Sequence, residues 1–474
     1  MPVPSFFKKF FAAVTLCLFA LPAHAESLTL TFDKNLQMTQ LVAGAAPPAA
    51  GAQTTQQTIT LYPDAYTSRS GQNENIYDFS KKTFTVVNHT AKTYTVYPLH
   101  SVALFRSRDR TSRLGMKITM YQQKTGAAAP PISILTEDID IDMMLAANNN
   151  NKTTEKIKTA KEEGKITFRD DKSQVLATAE VPSTTPLPQS LRKTYAHFIV
   201  YEFTMHPVIK KSLSGESGAF KKLVFTNRDM FRNLAAIYTW TQTATETQAD
   251  ANAPIIPEDY KRVYHADPEL DAAFKAAHTP FVFDGEAFQQ EMAALIDQRK
   301  YLTGFLKTQQ AALSMPPDAV RKNQPYFATA IKAAENFEKA AYLSIIQTPD
   351  SPAELLQYNG NLEKAKARVG DMAWLLDYFI DQHTRNVLSA KKNPSKEDLQ
   401  QLATLQSRLL MMLKKLPHNL GIYERTAEVH YSRLEIPTAM LYWTQAAEIA
   451  PTSASAQKLK QMKEEAERNF PEYF

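Results

Sequence analysis

Once its first 25 residues are set aside, the chain has no cysteine; the single one, Cys17, lies in the apolar run that opens the sequence. No disulfide can then form, so the fold must rest on ordinary hydrophobic cores. Glycine is scarce as well. Of 13 glycines only Gly215 and Gly218 lie within four residues of each other, and no pair has the spacing of a G-x-G-x-x-G turn or a Walker phosphate loop. Histidines at zinc-protease spacing are missing, so neither a metal nor a cofactor is expected. Charge of one sign is also lacking. The net charge of +5 falls to +3 without Lys8 and Lys9, which gives no electrostatic footing for nucleic acid as a partner. Beyond the opening segment no apolar run approaches the roughly 18 residues a membrane helix needs.

What is present begins with an address. Lys8 and Lys9 precede FFAAVTLCLFALPA, and Ala23-His24-Ala25 fits the small-x-small rule for signal peptidase. Residues 1–25 therefore read as a signal peptide cleaved after Ala25. Val14-Thr15-Leu16 before Cys17 makes a poor lipoprotein box. The expectation is an exported chain, periplasmic in a Gram-negative cell, with no transmembrane segment after cleavage. The remaining stretch of about 450 residues has room for two to four domains.

The two halves follow different patterns. From residue 28 to about 240, LTLTF (28–32), TITLY (58–62), KTFTVV (82–87), KTYTVY (92–97), MKITMY (116–121) and YAHFIVYEF (195–203) alternate and are rich in Thr, Val, Ile, Tyr and Phe, as strands are. AGAAPPAAGAQ (43–53) and VPSTTPLP (181–188) interrupt them, and NNNNKTTEKIKTAKEEGK (148–165) reads as a mobile polar insertion. After a linker at 250–260 the apolar spacing becomes three and four, punctuated by Pro316, Pro317, Pro352, Pro394 and Pro417 as helix starts and stops. The predicted organisation is α+β and multidomain: a β-rich domain over 26–249, a linker over 250–260, an α-helical region over 261–394 and helical hairpins over 395–474.

The phrase Lys82-Thr83-Phe84-Thr85-Val86 returns ten residues later as Lys92-Thr93-Tyr94-Thr95-Val96. If the repeat builds one aromatic face, Phe84 must pair with Val96 and Val86 with Tyr94, across a turn of odd length. An even loop after the preceding strand would set Phe79 opposite Phe84 and Tyr77 opposite Val86. The result is a three-stranded meander with an aromatic face of Tyr77, Phe79, Phe84, Val86, Tyr94 and Val96, and a threonine face opposite.

An exported chain that opens with a Thr-rich strand and continues into this meander resembles the outer-membrane lipoprotein carriers and their relatives, over residues 28–240 at most. That resemblance implies an antiparallel β half-barrel or curved sheet whose concave apolar face holds an acyl chain. The insertion 148–165 and the loop 43–53 depart from the family. A second likeness lies at the other end, where YERTAEVHYSRLEIPTAMLYWTQAAEIAP (423–451) resembles a tetratricopeptide repeat. Tyr423, Ala427, His430, Ala439, Trp443, Ala446 and Pro451 occupy its consensus places, and Pro417 lies 34 residues before Pro451. Thr426 stands where the family has Leu. The resemblance implies stacked helical hairpins with a groove for a protein partner.

Three further clusters invite chemistry. Gly215-Glu216-Ser217-Gly218 misses the nucleophile elbow by one residue and reads as a turn. Asp138, Asp140 and Asp142 lack the Gly and Glu of a calcium loop and read as the outer face of a strand. Arg106, Arg108 and Arg110 would share one face of a continuing strand, either as an anion site for a headgroup or as a solvated face paired with the aspartate row. The leading expectation is a non-catalytic binding protein, with an acyl chain or other apolar ligand on the β face and a protein partner on the helices. The alternative is an envelope scaffold with no lipid ligand, binding partners through the helical region.

Overall fold

The computed structural model describes residues 26–40, 53–126, 157–170, 173–182, 187–203, 205–229, 234–249, 253–279 and 281–474. The signal segment 1–25, most of the loop 43–53, the aspartates 138, 140 and 142, and residues 148–156 of the polar segment lie outside these. The chain divides into two compact units, one running to Arg262 and including residues 464–474, the other Val263–Lys463. Among the described residues no helix is long and apolar enough to cross a membrane.

The first unit is built on one sheet. Its strands are β1 (Glu26–Gln40), β2 (Gln53–Leu61), β3 (Ala65–Ser70), β4 (Asn73–Asp78), β5 (Thr83–Asn88), β6 (Thr93–Pro98), β7 (Lys158–Glu162), β8 (Lys165–Arg169), β9 (Val175–Glu180), β10 (Lys222–Asp229), β11 (Leu234–Ala249) and the two-residue β12 (Lys261–Arg262). The order is β12-β6-β5-β4-β3-β2-β1-β11-β10-β9-β8-β7. All neighbours are antiparallel except β12 with β6. Register carries a single apolar face from strand to strand. Ile166 lies opposite Ala179, Ala179 opposite Leu223, Leu223 opposite Trp240, Leu30 opposite Ile59, Leu61 opposite Tyr66, and Tyr66 opposite Tyr77. Among the described residues, α1 (His100–Thr125), α2 (Arg192–Glu202) and α3 (Pro207–Ser214) belong to this unit.

The repeated phrase is a repeated turn. Six-residue strands alternate with four-residue loops, 79–82 and 89–92, which makes the ten-residue period. In each loop the residue ending the strand caps the turn. Asp78 Oδ1 accepts from the Lys81 N–H at 2.8 Å, and Asn88 Oδ1 accepts from the Ala91 N–H at 2.8 Å. Each loop closes on a lysine in the left-handed region, Lys82 at φ 51° and Lys92 at φ 50°. The K-T-aromatic-T-V phrase is thus the end of an Asx-capped turn and the start of a strand.

This turn corrects the expected register. Phe84 pairs with Tyr97 and Val87 with Tyr94, not Phe84 with Val96. A four-residue loop puts residues ten apart on opposite faces, so Tyr94 and Val96 lie across the sheet from Phe84 and Val86. On the other side, Tyr77 keeps its predicted face but sits opposite Phe84 rather than Val86, a shift of two.

Two segments expected as strands are helical. MKITMY, with the arginine row before it, lies in α1, and YAHFIVYEF forms α2 and the residue after it. Helix α2 hides its period because it is buried nearly all round: Thr194, Tyr195, His197, Phe198, Ile199, Val200 and Tyr201 are all inaccessible. The second half of the polar segment 148–165 is ordered. Residues 158–169 make the hairpin β7–β8, turning at Gly164 with φ 69°. The end of the predicted linker is tied down too. Lys261 N–H donates to Lys92 O at 2.9 Å, Lys92 Nζ meets Asp259 at 2.7 Å, and Tyr260 Oη lies 2.8 Å from His89 Nδ1. β12 thereby covers part of the β6 edge, which would otherwise present unpaired backbone groups.

The second unit is helical: α4 (Pro268–Ala277), α5 (Gly285–Asp297), α6 (Tyr301–Leu313), α7 (Pro317–Phe337), α8 (Lys339–Ile346), α9 (Pro352–Lys366), α10 (Ala373–Ser389), α11 (Lys396–Met411), α12 (Leu420–Ser432) and α13 (Ile436–Ile449). Helix α14 (Ala454–Asn469) starts there and ends in the first unit. The helix starts are chemically marked. Asp267, Asp284, Ser351, Ser395 and Asn419 each accept a backbone N–H from the first turn they precede, and Ser395 and Asp398 form a reciprocal capping box.

The left-handed lysines give a direct test of the turn. Lys92→Gly removes a Cβ penalty and should be neutral or stabilising by up to about 1 kcal/mol, whereas Lys92→Val should cost about 1–2 kcal/mol. Urea midpoints of the two variants check the sign of each.

Candidate functional site

The proposed apolar face is an aromatic ladder. Tyr66 stacks on Tyr77 with ring centres 4.4 Å apart, Tyr77 on Phe84 at 4.9 Å, and Phe84 on Tyr97 at 6.0 Å. One rung comes from each of β3, β4, β5 and β6. Of the six residues expected on this face, Tyr77, Phe84 and Val86 share it, and Phe79, in the first loop, packs on it. Tyr94 and Val96 do not belong to it.

The Tyr66 and Tyr77 rungs are covered by the chain itself, and Phe84 and Tyr97 are half-buried. Tyr201 of α2 stands 5.0 Å from Tyr77, Phe198 stands 6.0 Å from Tyr66, and His197 stacks on Phe79 at 4.1 Å. Residues 470–474 complete the cover. Tyr473 packs edge-on to Tyr201 at 5.0 Å while its carbonyl accepts from Tyr201 Oη at 2.7 Å, and Phe474 lies 4.8 Å from His100. Glu467 fastens this segment, accepting from Lys82 Nζ at 2.6 Å with His100 Nε2 2.8 Å from the same oxygen. The hydrogen bonds from Lys82 and His100 hold the Glu467 carboxyl below its ordinary value, that from Lys82 most strongly.

A polar niche interrupts the apolar face. Glu202, the last residue of α2, accepts from Gln57 Nε2 at 3.1 Å, and Gln57 in turn reaches Ser68 Oγ at 2.6 Å. Tyr66 Oη lies 3.5 Å from the other carboxylate oxygen. Burial pushes the Glu202 carboxyl up, and the Ser68 and Gln57 hydrogen bonds, Lys34 and Arg106 oppose that rise. Lys34 keeps its ammonium over the Trp240 ring, 4.9 Å from the centroid. Sequence reasoning missed Glu202, Gln57 and Ser68. The available signal was the only charged residue in YAHFIVYEF, an acid inside an otherwise apolar run.

The arginine row does not share a face, because it is helical. Arg106 turns inward and donates from Nη2 to Tyr201 O at 3.2 Å, while Lys210 Nζ donates to Val200 O at 3.1 Å. Two cations thus satisfy the carbonyls that end α2, where a helix carries partial negative charge. Arg108 is exposed, and the backbone of Arg110 continues α1. Ser217 is exposed in the turn after α3, its carbonyl accepting from Leu187 N–H at 2.7 Å.

In the helical unit Tyr423, Ala427, Ala439, Trp443 and Ala446 are buried between α12 and α13, His430 is half-buried against Tyr442, and Pro451 is exposed. Ala439 and Ala446, both fully buried, let the helices approach. Thr426 is buried, and its hydroxyl accepts from Gln406 Nε2 of α11 at 3.1 Å. Among the described residues no group of three or more His, Cys, Asp or Glu stands where a metal ion could be held. No protein-family model matches the chain, and no curated protein is significantly similar to it.

The niche predicts a pH dependence. Between the ordinary carboxylate value and the raised native value of Glu202, the folded chain holds more protons than the unfolded one, so stability falls as pH rises through that window. Glu202→Gln should remove this slope, matching wild type near pH ~4 and exceeding it near pH ~7.5. Urea unfolding of both chains across that range is the measurement, and parallel curves would refute the assignment.

Proposed function

We propose that the chain is a non-catalytic exported adaptor, a scaffold of the cell envelope that binds a protein partner through its helical unit and carries no lipid on its β unit. The observation that carries this reading is the cover over the aromatic ladder. Over Tyr66 and Tyr77 the face an acyl chain would need is occupied by Phe198 and Tyr201 of the chain itself, with Tyr473 packed against Tyr201. A ligand there would have to displace α2, whose terminal carbonyls, carboxylate and aromatic rings are all engaged. The helical hairpin α12–α13, with its likeness to a tetratricopeptide repeat, supports the second half of the reading, since stacked hairpins present extended surfaces to partners. The signal-like first 25 residues support export to the periplasm.

Native mass spectrometry of the chain from Glu26 onward, purified without detergent, separates this reading from the lipid-carrier alternative. The adaptor should give a clean polypeptide mass and no recovered lipid. A stoichiometric acyl-containing ligand, lost in a folded Phe84→Asp variant, would instead make the chain a lipid carrier.

A further inference from the structure

Residues 464–474 belong to the β unit, although the helical unit Val263–Lys463 stands between them and the rest of it in sequence. They join it as a bound peptide would. No strand of the described sheet comes from this segment, and its turn is closed by bonds of its own. Phe470 N–H donates to Ala466 O at 2.9 Å, Tyr473 N–H to Phe470 O at 3.0 Å, and Phe474 N–H to Pro471 O at 3.1 Å. Pro471 opens the turn, where its fixed φ fits and no N–H is needed. Phe470 and Tyr473 are only 4 % and 1 % exposed, and both join the core of the β unit.

Three groups of the β unit receive the segment, each reading a different feature. Lys82, the left-handed residue of the first repeated turn, gives its Nζ to the Glu467 carboxylate at 2.6 Å. His100, the first residue of α1, holds the same oxygen at 2.8 Å and sets its ring 4.8 Å from that of Phe474. Tyr201 of α2 donates from Oη to Tyr473 O at 2.7 Å and meets the Tyr473 ring edge-on at 5.0 Å. The Lys82–Glu467 pair is 48 % and 39 % exposed, so it orients the segment more than it holds it. The buried rings and the buried hydrogen bond supply most of the grip. The second repeated turn works alike, for its left-handed Lys92 takes Asp259 at 2.7 Å. The repeat thus places two lysines that each receive a carboxylate from outside the meander.

We propose that Lys82, His100 and Tyr201 form a peptide-binding site on the β unit, and that residues 467–474 occupy it as a self-ligand. The site takes a segment of the pattern Glu-x-x-Phe-Pro-x-Tyr-Phe, an acidic residue followed by a proline turn that carries aromatic rings. The partner that fits is a protein segment of that chemistry, admitted when the self-ligand is displaced. A segment tethered in the same chain competes at high effective concentration, so the site stays shut until that hold is weakened. This goes beyond the adaptor reading, which concerns the helical unit.

The test uses the chain from Glu26 and a fluorescein-labelled synthetic peptide of residues 464–474, followed by fluorescence anisotropy. Tyr473→Ala removes a ring of the self-ligand and no receiving group. It should bind the peptide saturably, about tenfold or more tighter than wild type, whose site is occupied. Glu467→Gln should do the same by a factor of about three, and it keeps both rings, so it carries the test if Tyr473→Ala does not fold. Bound peptide should raise the thermal midpoint of each variant, because it binds the folded chain. A peptide that itself carries Tyr473→Ala should bind about tenfold or more weakly. No saturable binding to whichever variant is folded, equal affinity for wild type and variants, or a scrambled peptide binding as tightly as the native one would each overturn the proposal. None of these results would alter a lipid-free native mass, so the adaptor reading stands or fails separately.

Discussion

The first unit depends on covering one long apolar sheet face, on which the eleven-residue helix α2 packs. Antiparallel sheets can leave one face to water, but this face carries Leu30, Phe32, Ile59, Tyr66, Tyr77 and Trp240, all buried. Aromatic side chains of this kind each bury about 150–250 Å², so the helix that covers them must itself be apolar nearly all round. That requirement has consequences at its end. A buried helix terminus leaves carbonyls unpaired, and Arg106 and Lys210 come from α1 and α3 to satisfy them. Its last residue is a carboxylate, and the sheet supplies Gln57 and Ser68 beneath it. Residues 470–474 then close the remaining gap over Tyr201.

The same constraint bears on function. A sheet face with a large aromatic surface is a natural place for an apolar ligand, and the resemblance to lipoprotein carriers rests on that expectation. Here Tyr66 and Tyr77 are committed to internal packing against Phe198 and Tyr201 of α2. Buried charge without a partner is costly in a free protein. In the β unit the half-buried Lys34 lies over Trp240, and Glu202 sits within a hydrogen-bonded niche.

Several of these features were legible in the chain. Alternating Thr, Val and aromatic residues marked β1, β2, β5 and β6, and prolines and capping residues marked the helical series, because both signals are local. The helical pair α12 and α13 was also readable, since Ala439, Trp443 and Ala446 recur at helical spacing and are buried together. The candidate site was read only in part. Tyr77, Phe84 and Val86 share the expected face, but Tyr94 and Val96 do not. The assumption that repeated aromatics must face the same way overrode the turn chemistry of Asn88 and Lys92, which sets an even loop.

By itself the sequence determined the two-part grammar, the ten-residue strand-and-turn period and the absence of any disulfide framework, all properties of composition and short-range spacing. Tertiary structure alone decided that YAHFIVYEF is a helix. A segment buried on every side shows neither the two-residue nor the 3.6-residue period, and only the sheet beneath it selects between them. It also decided that Arg106 serves a helix end, and that Gln406 and Thr426, 20 positions apart in the chain, meet across α11 and α12. Contacts between residues so distant in sequence leave no periodic trace, because they depend on how whole elements pack.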